Sequence, residues 1–94
     1  MQREPLDSTA LVSAGYDPIT QELEIEFRSG RIYRYKGVPQ GAYDFLLRAS
    51  SKGGYLNRMI EGHYAFEDVT KAAAGQDLLR ALRASLGEPE EAQD

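Results

Sequence analysis

The chain has 94 residues, 41% of them hydrophobic and 28% charged, and its formal net charge is −4. That length allows one domain with a small core, and the absence of cysteine excludes disulfides, thiolate metal sites and cysteine nucleophiles. The sequence has no apolar run typical of a signal peptide and no stretch near the ~20 apolar residues of a membrane helix. We therefore expect a cytoplasmic protein that neither crosses nor enters a membrane.

Composition divides the chain into four segments. Residues 1–7 and 87–94 are polar, contain proline and offer nothing to bury, so both are predicted to be disordered tails. Residues 8–66 carry the patterns of a folded domain. Residues 67–86 are predicted to form a helical extension of it.

Three strands are predicted at the start of the domain, because apolar residues recur at every second position. The expected inward-facing residues of the first two strands are Val12, Ala14, Tyr16, Leu23, Ile25 and Phe27. A turn at Asp17–Thr20 separates these strands, since proline presets φ and aspartate bonds its own backbone. The third strand is Arg31–Lys36.

The hairpin between the second and third strands has two possible registers. A two-residue turn at Ser29-Gly30 would set Arg34 beside Ile25. A three-residue loop, Arg28-Ser29-Gly30 with a left-handed Gly30, would instead set Ile25 opposite Tyr33 and two glutamates opposite two cations. Cross-strand pairs favour the second arrangement by roughly 0.2–1 kcal/mol each. It predicts that Tyr33 and Tyr35 point inward while Arg34 and Lys36 point outward.

Two short helices are predicted to pack on this sheet. The first begins at Val38-Pro39 and runs to about Ser50, with an apolar stripe at Ala42, Phe45, Leu46 and Ala49. The segment Ser50–Gly54 breaks it. The second helix is Tyr55–Gly62, with Leu56 and Ile60 in one inward row and Tyr55 and Met59 in another. His63–Phe66 is predicted to be extended, as a short edge strand.

A third helix is predicted at Thr70–Leu86, where Leu78, Leu82 and Leu86 recur every four residues. Asp77 is a possible cap for it. This leucine row either covers the core or contacts a protein partner or a second copy of the chain. The expected fold is α+β: a three-stranded antiparallel β-meander packed on two short helices, with a C-terminal amphipathic helix.

Several short motifs follow one another at defined spacing: Tyr16-Asp17, Phe27-x-x-Gly30-x-x-Tyr33-x-Tyr35-x-x-Val38-Pro39 and Ser51-x-Gly53-x-Tyr55-x-Asn57-x-x-Ile60-x-x-x-Tyr64. Together they resemble the KTSC domain, named for the C-terminal region of some lysyl-tRNA synthetases and also found as a small stand-alone bacterial protein. The resemblance covers about residues 9–66. It implies a binding module for which RNA is the usual suggestion. It also implies mainly structural roles for Tyr16, Gly30, Tyr33, Tyr35, Pro39, Ile60 and Tyr64.

Positive charge is concentrated in the middle of the chain, where residues 28–58 contain seven bases and one acid. Basic residues beside aromatic ones are typical of surfaces that bind single-stranded nucleic acid. The predicted contact residues are Arg28, Arg31, Arg48, Lys52, Gly53, Tyr55, Asn57 and Arg58. The segment Ser51–Tyr55 is either an anion site at a helix start or a tight glycine turn. Because the whole chain is acidic, we expect RNA binding to be weak and salt-sensitive.

Catalytic and metal chemistry find little support in the sequence. The single histidine, His63, has no evident carboxylate or serine partner, so we expect no catalytic residues and no enzyme. The scattered carboxylates lack a compact ligand spacing, so neither a metal nor a cofactor is expected. The competing class is a protein-interaction or homo-oligomerisation module that uses Leu78, Leu82 and Leu86 or an edge of the sheet.

Overall fold

Five antiparallel strands form one sheet, in which each strand lies beside its neighbour in the sequence. The computed structural model describes residues 1–86. The strands are β1 Glu4–Pro5, β2 Leu11–Asp17, β3 Glu22–Phe27, β4 Ile32–Tyr35 and β5 Phe66–Asp68. The helices are α1 Gln40–Arg48, α2 Lys52–Tyr55 continued by a π-helical turn Leu56–Ile60, and α3 Thr70–Ser85. The α+β class is confirmed, but the predicted three-stranded meander is only the centre of a five-stranded sheet.

The β3–β4 hairpin has the register predicted from its charges. Leucine lies opposite tyrosine and glutamate opposite arginine, in the pairs Leu23–Tyr35, Glu24–Arg34 and Ile25–Tyr33. The connecting loop contains Gly30 at φ +96°, a left-handed conformation that favours glycine. This register turns Tyr35 into the core, where 1% of its surface is exposed.

A β-bulge in β2 overturns one predicted orientation. Leu11 pairs with Phe27 and Ser13 pairs with Glu26, so Val12 is an extra residue between two partners. The bulge breaks the period of two. Leu11 and Ala14 therefore face the core, whereas Val12 lies on the other face of the sheet beside Arg3 and Ser13. The prediction that Val12 points inward is wrong.

The first face of the sheet packs against α1 and α2 and holds the main core. Its fully buried residues are Leu11, Ala14, Leu23, Ile25, Tyr35, Val38, Leu46, Leu56 and Ile60. Two residues predicted to face this core do not. Phe45 of α1 and Met59 after α2 are both more than half exposed, whereas Leu46, Leu56 and Ile60 are the fully buried residues of these segments.

Helix α2 begins earlier than its sequence predicts. Ser51 is its N-cap, and the Ser51 hydroxyl accepts a hydrogen bond from the backbone N–H of Gly54 at 3.2 Å. The two glycines therefore lie inside α2, and the predicted break after α1 is limited to residues 49–51. A Cβ at Gly53 would lie 3.0 Å from the Cβ of Ala10, so glycine allows the loop before β2 to approach this helix closely.

The second face of the sheet packs against α3 and the N-terminal residues. Ile32, Val69 and Ala73 form a small apolar cluster there. The predicted helix is confirmed, but Asp77 lies within it and caps nothing, and Asp68 instead accepts the N–H of Thr70 at 2.9 Å.

Residues 1–7 are not the predicted disordered tail. Glu4–Pro5 pair with β2, and the backbone of Gln2 passes so close to Gly15 that a Cβ there would lie 2.4 Å from the Gln2 carbonyl oxygen. The predicted tail at 87–94 lies outside the described residues.

Candidate nucleic-acid interface

An aromatic pair, formed by an exposed ring and a half-buried one, lies near the ends of α1 and α2. The rings of Phe45 and Tyr55 are stacked, with centroids 5.3 Å apart and planes inclined by 13°. Phe45 is 56% exposed, so this ring is not part of the core. The pair arises because α1 and α2 pack side by side on the sheet, and the residue next to Leu46 in the sequence then faces away from the sheet.

Three cations lie on the same helical segments as this pair, and one of them contacts a ring of the pair. The guanidinium carbon of Arg48 lies 5.5 Å from the centroid of the Phe45 ring, within the range of a cation–π contact. Arg58 lies over Gly54, where a Cβ would be 3.1 Å from its Nη1. Lys52 Nζ donates to the carbonyl of Ala49 at 3.0 Å.

None of these three cations forms an ion pair within residues 1–86. Asn57 is exposed, and its side chain makes no hydrogen bond to any described residue. The structure thus places Phe45, Tyr55 and Arg48 in contact, and Lys52, Asn57 and Arg58 lie on α2 and the turn that continues it. We call these six residues the α1–α2 surface.

At the predicted anion site, Ser51–Tyr55, two backbone N–H groups already donate hydrogen bonds within the chain. The Ser51 hydroxyl accepts a hydrogen bond from the Gly54 N–H, and the Ser51 carbonyl accepts one from the Tyr55 N–H at 2.9 Å. The helix start borders a cavity of about 500 Å³ that both Asp7 and Lys52 line. Because Ser51 already accepts these two N–H groups, the geometry here favours the tight-turn interpretation over a phosphate site.

Arg28 and Arg31 lie apart from the α1–α2 surface. Arg28 Nη2 donates to the carbonyl of Ser8 at 3.0 Å, and Arg31 Nη2 lies 3.0 Å from Asp68 Oδ2 in an ion pair. Both line a second cavity, of about 320 Å³, with Tyr33 and Glu61. The predicted set of basic residues therefore divides into two groups, of which only one is free of ion pairs within the described chain.

The tyrosines of the sheet make contacts within the fold. Burial raises the pKa of Tyr35 to about 12, with the Glu61 carboxylate and the Tyr33 phenol adding to the effect. Tyr33 is half-buried, and its ring lies 4.7 Å from that of Phe66. Tyr16 donates to the carbonyl of Val38 at 2.5 Å. The sheet therefore does not offer a free stacking platform at Tyr35.

The cations between these tyrosines are neutralised, as their alternation with glutamates predicts. Arg34 Nη2 lies 2.8 Å from Glu24 Oε1. Lys36 Nζ lies 3.2 Å from Glu22 and 2.8 Å from Glu67, and hydrogen bonding to these two carboxylates raises the lysine pKa.

Phe45 is the functional candidate that the sequence pattern missed. The helical period assigned it to the inward stripe with Ala42 and Leu46. A weaker signal was present, because Arg48 follows Phe45 by three residues and such pairs meet on a helix surface. Only the packing of α2 beside α1 shows that Tyr55 joins them.

Comparison with known proteins assigns the family. The family model described as KTSC domain matches residues 7–64. This chain belongs to the KTSC domain family. A crystal structure of a KTSC domain protein from Yersinia pestis superimposes with a TM-score of 0.70 at 39% identity, over 71% of this chain and 94% of that one.

Relatives of the KTSC domain occur in two contexts. An uncharacterized protein of Stutzerimonas stutzeri is 45% identical over 67 residues, which cover 70% of this chain and 94% of that protein. A lysine–tRNA ligase of a Nostoc species is 42% identical over 55 residues, 58% of this chain but 10% of the ligase. The chain thus matches nearly the whole length of that small protein, but only a small part of a much larger enzyme.

Within the described part of this KTSC domain, no three His, Cys, Asp or Glu side chains lie where they could hold a metal ion. His63 is exposed, at the turn that follows the π-helical turn. Among residues 1–86, no helix is long and apolar enough to span a membrane.

Proposed function

We propose that this KTSC domain is a non-enzymatic cytoplasmic module that binds single-stranded RNA through the α1–α2 surface. The observation that carries the proposal is the exposed Phe45 ring, which is stacked on the half-buried Tyr55 and has Arg48 beside it. Exposed aromatic rings stack on unpaired bases, and each such contact contributes about 1–3 kcal/mol. A guanidinium plane stacks on bases in the same way, so Arg48 extends the surface.

Charge supports the same surface. Arg48, Lys52 and Arg58 have no acidic partner within residues 1–86, so their charge is available to phosphates. Of the other four bases in residues 28–58, Arg31, Arg34 and Lys36 are paired with carboxylates and Arg28 donates to the Ser8 carbonyl. The net charge of −4 opposes nucleic acid at long range, which makes the expected binding weak and strongly dependent on salt.

The relatives support RNA as the ligand class. The matching region forms a tenth of a Nostoc lysine–tRNA ligase, an enzyme whose name specifies an RNA. A module attached to such an enzyme and also present as a separate protein is consistent with a general RNA-binding role. Because bases are read here by stacking, we expect little sequence preference.

The test is a titration of a fluorescent single-stranded oligoribonucleotide at several salt concentrations. Three phosphate contacts predict a slope of about −2 in a plot of log affinity against log salt. The triple variant Arg48→Gln, Lys52→Gln, Arg58→Gln should lose most of the affinity and most of the slope.

The matched control removes the same charge elsewhere, with Lys71→Gln, Arg80→Gln and Arg83→Gln on α3. It should bind nearly as the wild type does. Equal losses in the two triple variants would show that only net charge matters, and unchanged binding in the first would exclude the α1–α2 surface.

A further inference from the structure

Helix α3 presents two different sides. Ala73 is buried against Ile32, and Asp77 Oδ2 accepts a hydrogen bond from Arg3 Nη2 at 2.5 Å, so these two residues face the sheet. Successive helical residues are about 100° apart, which places the leucines on the roughly opposite side. Their exposed fractions are 61% for Leu78, 55% for Leu79, 48% for Leu82 and 80% for Leu86.

Within residues 1–86, the apolar side of α3 is therefore not packed against the rest of the fold. The helix was predicted either to cover the core with its leucines or to use them for a partner, and the geometry excludes the first for residues 1–86. A contiguous apolar patch of this kind on a small protein marks an interaction surface.

A glycine on the same side indicates how close the partner comes. Gly75 lies within α3 on the leucine side, and a Cβ there would meet no atom of the described chain outside the helix within 4 Å. Glycine weakens a helix interior compared with alanine. Because packing within the described chain does not require glycine at this position, the close approach of a second surface gives it a physical reason.

The sizes of the side chains on this side change along the helix. The small residues Ala72 and Gly75 lie near its beginning, and the large residues Leu82 and Leu86 lie near its end. In an antiparallel pair of identical helices, the end of one lies beside the beginning of the other. Leu82 then meets Gly75 and Leu86 meets Ala72, whereas a parallel pair would place leucine on leucine and leave the small residues facing a gap.

We propose that α3 pairs antiparallel with α3 of a second copy of this chain, through Ala72, Gly75, Leu78, Leu79, Leu82 and Leu86. Antiparallel pairing also brings opposite ends of the two helix dipoles together. The contact is short compared with stable interfaces, which bury roughly 800 Å² per partner. We therefore expect a dissociation constant on the order of 10–100 µM. The pairing is independent of the proposed RNA-binding surface.

The test is the mass in solution, measured by sedimentation equilibrium between 5 µM and 1 mM protein. The wild-type mass should rise from the monomer value of 10.5 kDa towards twice that value. Leu78→Glu with Leu82→Glu should remain monomeric at 1 mM. The matched control, Ile19→Glu with Met59→Glu, changes two other exposed apolar residues and should dimerise as the wild type does.

The Gly75→Leu variant distinguishes an effect on helix pairing from an effect on the folding of the monomer. This substitution should raise the helicity and the melting temperature of the monomer while weakening association at least tenfold. A wild-type chain that is monomeric at 1 mM would overturn the proposal, as would a Leu78→Glu, Leu82→Glu variant that still dimerises.

The relative orientation of the two α3 helices can be tested by introduced cysteines, because the chain has none of its own. Ala72→Cys mixed with Leu86→Cys should form a disulfide-linked heterodimer under oxidation. Cross-linking of each variant only with itself would indicate parallel pairing and would contradict the antiparallel arrangement.

Discussion

The two faces of the sheet are held to their helices by different forces. The face under α1 and α2 is a continuous apolar core that includes Leu46 and Ile60, whereas the face under α3 carries a buried cluster of charges. In that cluster Glu24 is fully buried and accepts hydrogen bonds from Arg3 and Arg34. A polar face cannot accept a leucine row, so α3 places Ala73 and Asp77 towards the sheet and its leucines outward. The second face therefore determines which side of α3 is available to a partner.

The largest expected effect is on the charged face. Replacing Glu24 by Gln removes the anion that lies between Arg3 and Arg34 and leaves two cations without their common partner. Removing one member of a buried ion pair costs about 3–5 kcal/mol. Urea denaturation should show this loss in the free energy of unfolding. The control Glu22→Gln breaks only the partly exposed pair with Lys36 and should cost less than about 1 kcal/mol. Similar losses in both variants would contradict the difference between buried and exposed pairs.

A somewhat smaller loss is expected on the apolar face. Leu46→Ala leaves a cavity between α1 and the sheet and should lower the free energy of unfolding by about 2–4 kcal/mol. The loss should be insensitive to salt, since no charge is involved. Phe45→Ala, one residue earlier, should cost much less because that ring is mainly exposed. A larger loss at Phe45 than at Leu46 would mean that the helix packs with its other side on the sheet.

How far the sequence determines these faces differs between elements. The β3–β4 register was predictable, because Glu24 and Ile25 each had one favourable partner. β1 was not predicted as a strand, and the edge strand predicted at His63–Phe66 lies instead at Phe66–Asp68, since two or three residues show no period. The sequence pattern did not predict the β-bulge at Val12 either. For α3 the helix was predictable but its rotation was not, because that depends on the charges of the sheet face on which it lies.

The candidate site shows the same difference between what local sequence determines and what tertiary packing determines. Arg48, Lys52, Tyr55 and Arg58 were predicted and lie on the predicted helical segments, because helix formation there depends on local sequence. Phe45 was assigned to the wrong side, because one apolar residue in a short helix can satisfy two overlapping stripes. Arg28 and Arg31 carry the right charge, but the hairpin loop places them beside Ser8 and Asp68.

The next prediction concerns local opening of α3 away from the sheet. Asp77→Asn weakens the contact with Arg3, and we expect about 1–2 kcal/mol less protection of the α3 amides against hydrogen exchange. The amides of Leu56 and Ile60 should keep their protection, because they belong to the other face. Uniform loss across both regions would show that the two faces unfold as one unit.

The smallest expected effect is at alkaline pH and belongs to the apolar face. The pKa of Tyr35 is raised by burial to about 12, above its value of about 10 in the unfolded chain. The unfolded state therefore loses its proton first, so stability falls as the pH rises from about 10 to 12. Tyr35→Phe should remove part of this decline in thermal melts. A variant with the wild-type pH dependence would contradict the burial of that hydroxyl.

The most direct test of the functional account compares two phenylalanines of similar exposure. Phe45 on the α1–α2 surface and Phe66 on β5 are 56% and 52% exposed. Titration of a fluorescent single-stranded oligoribonucleotide at low salt should give at least fivefold weaker binding for Phe45→Ala, as expected for about 1–3 kcal/mol of stacking. Phe66→Ala should bind within twofold of the wild type. A loss confined to Phe66→Ala, or no loss in either variant, would contradict RNA binding by the α1–α2 surface.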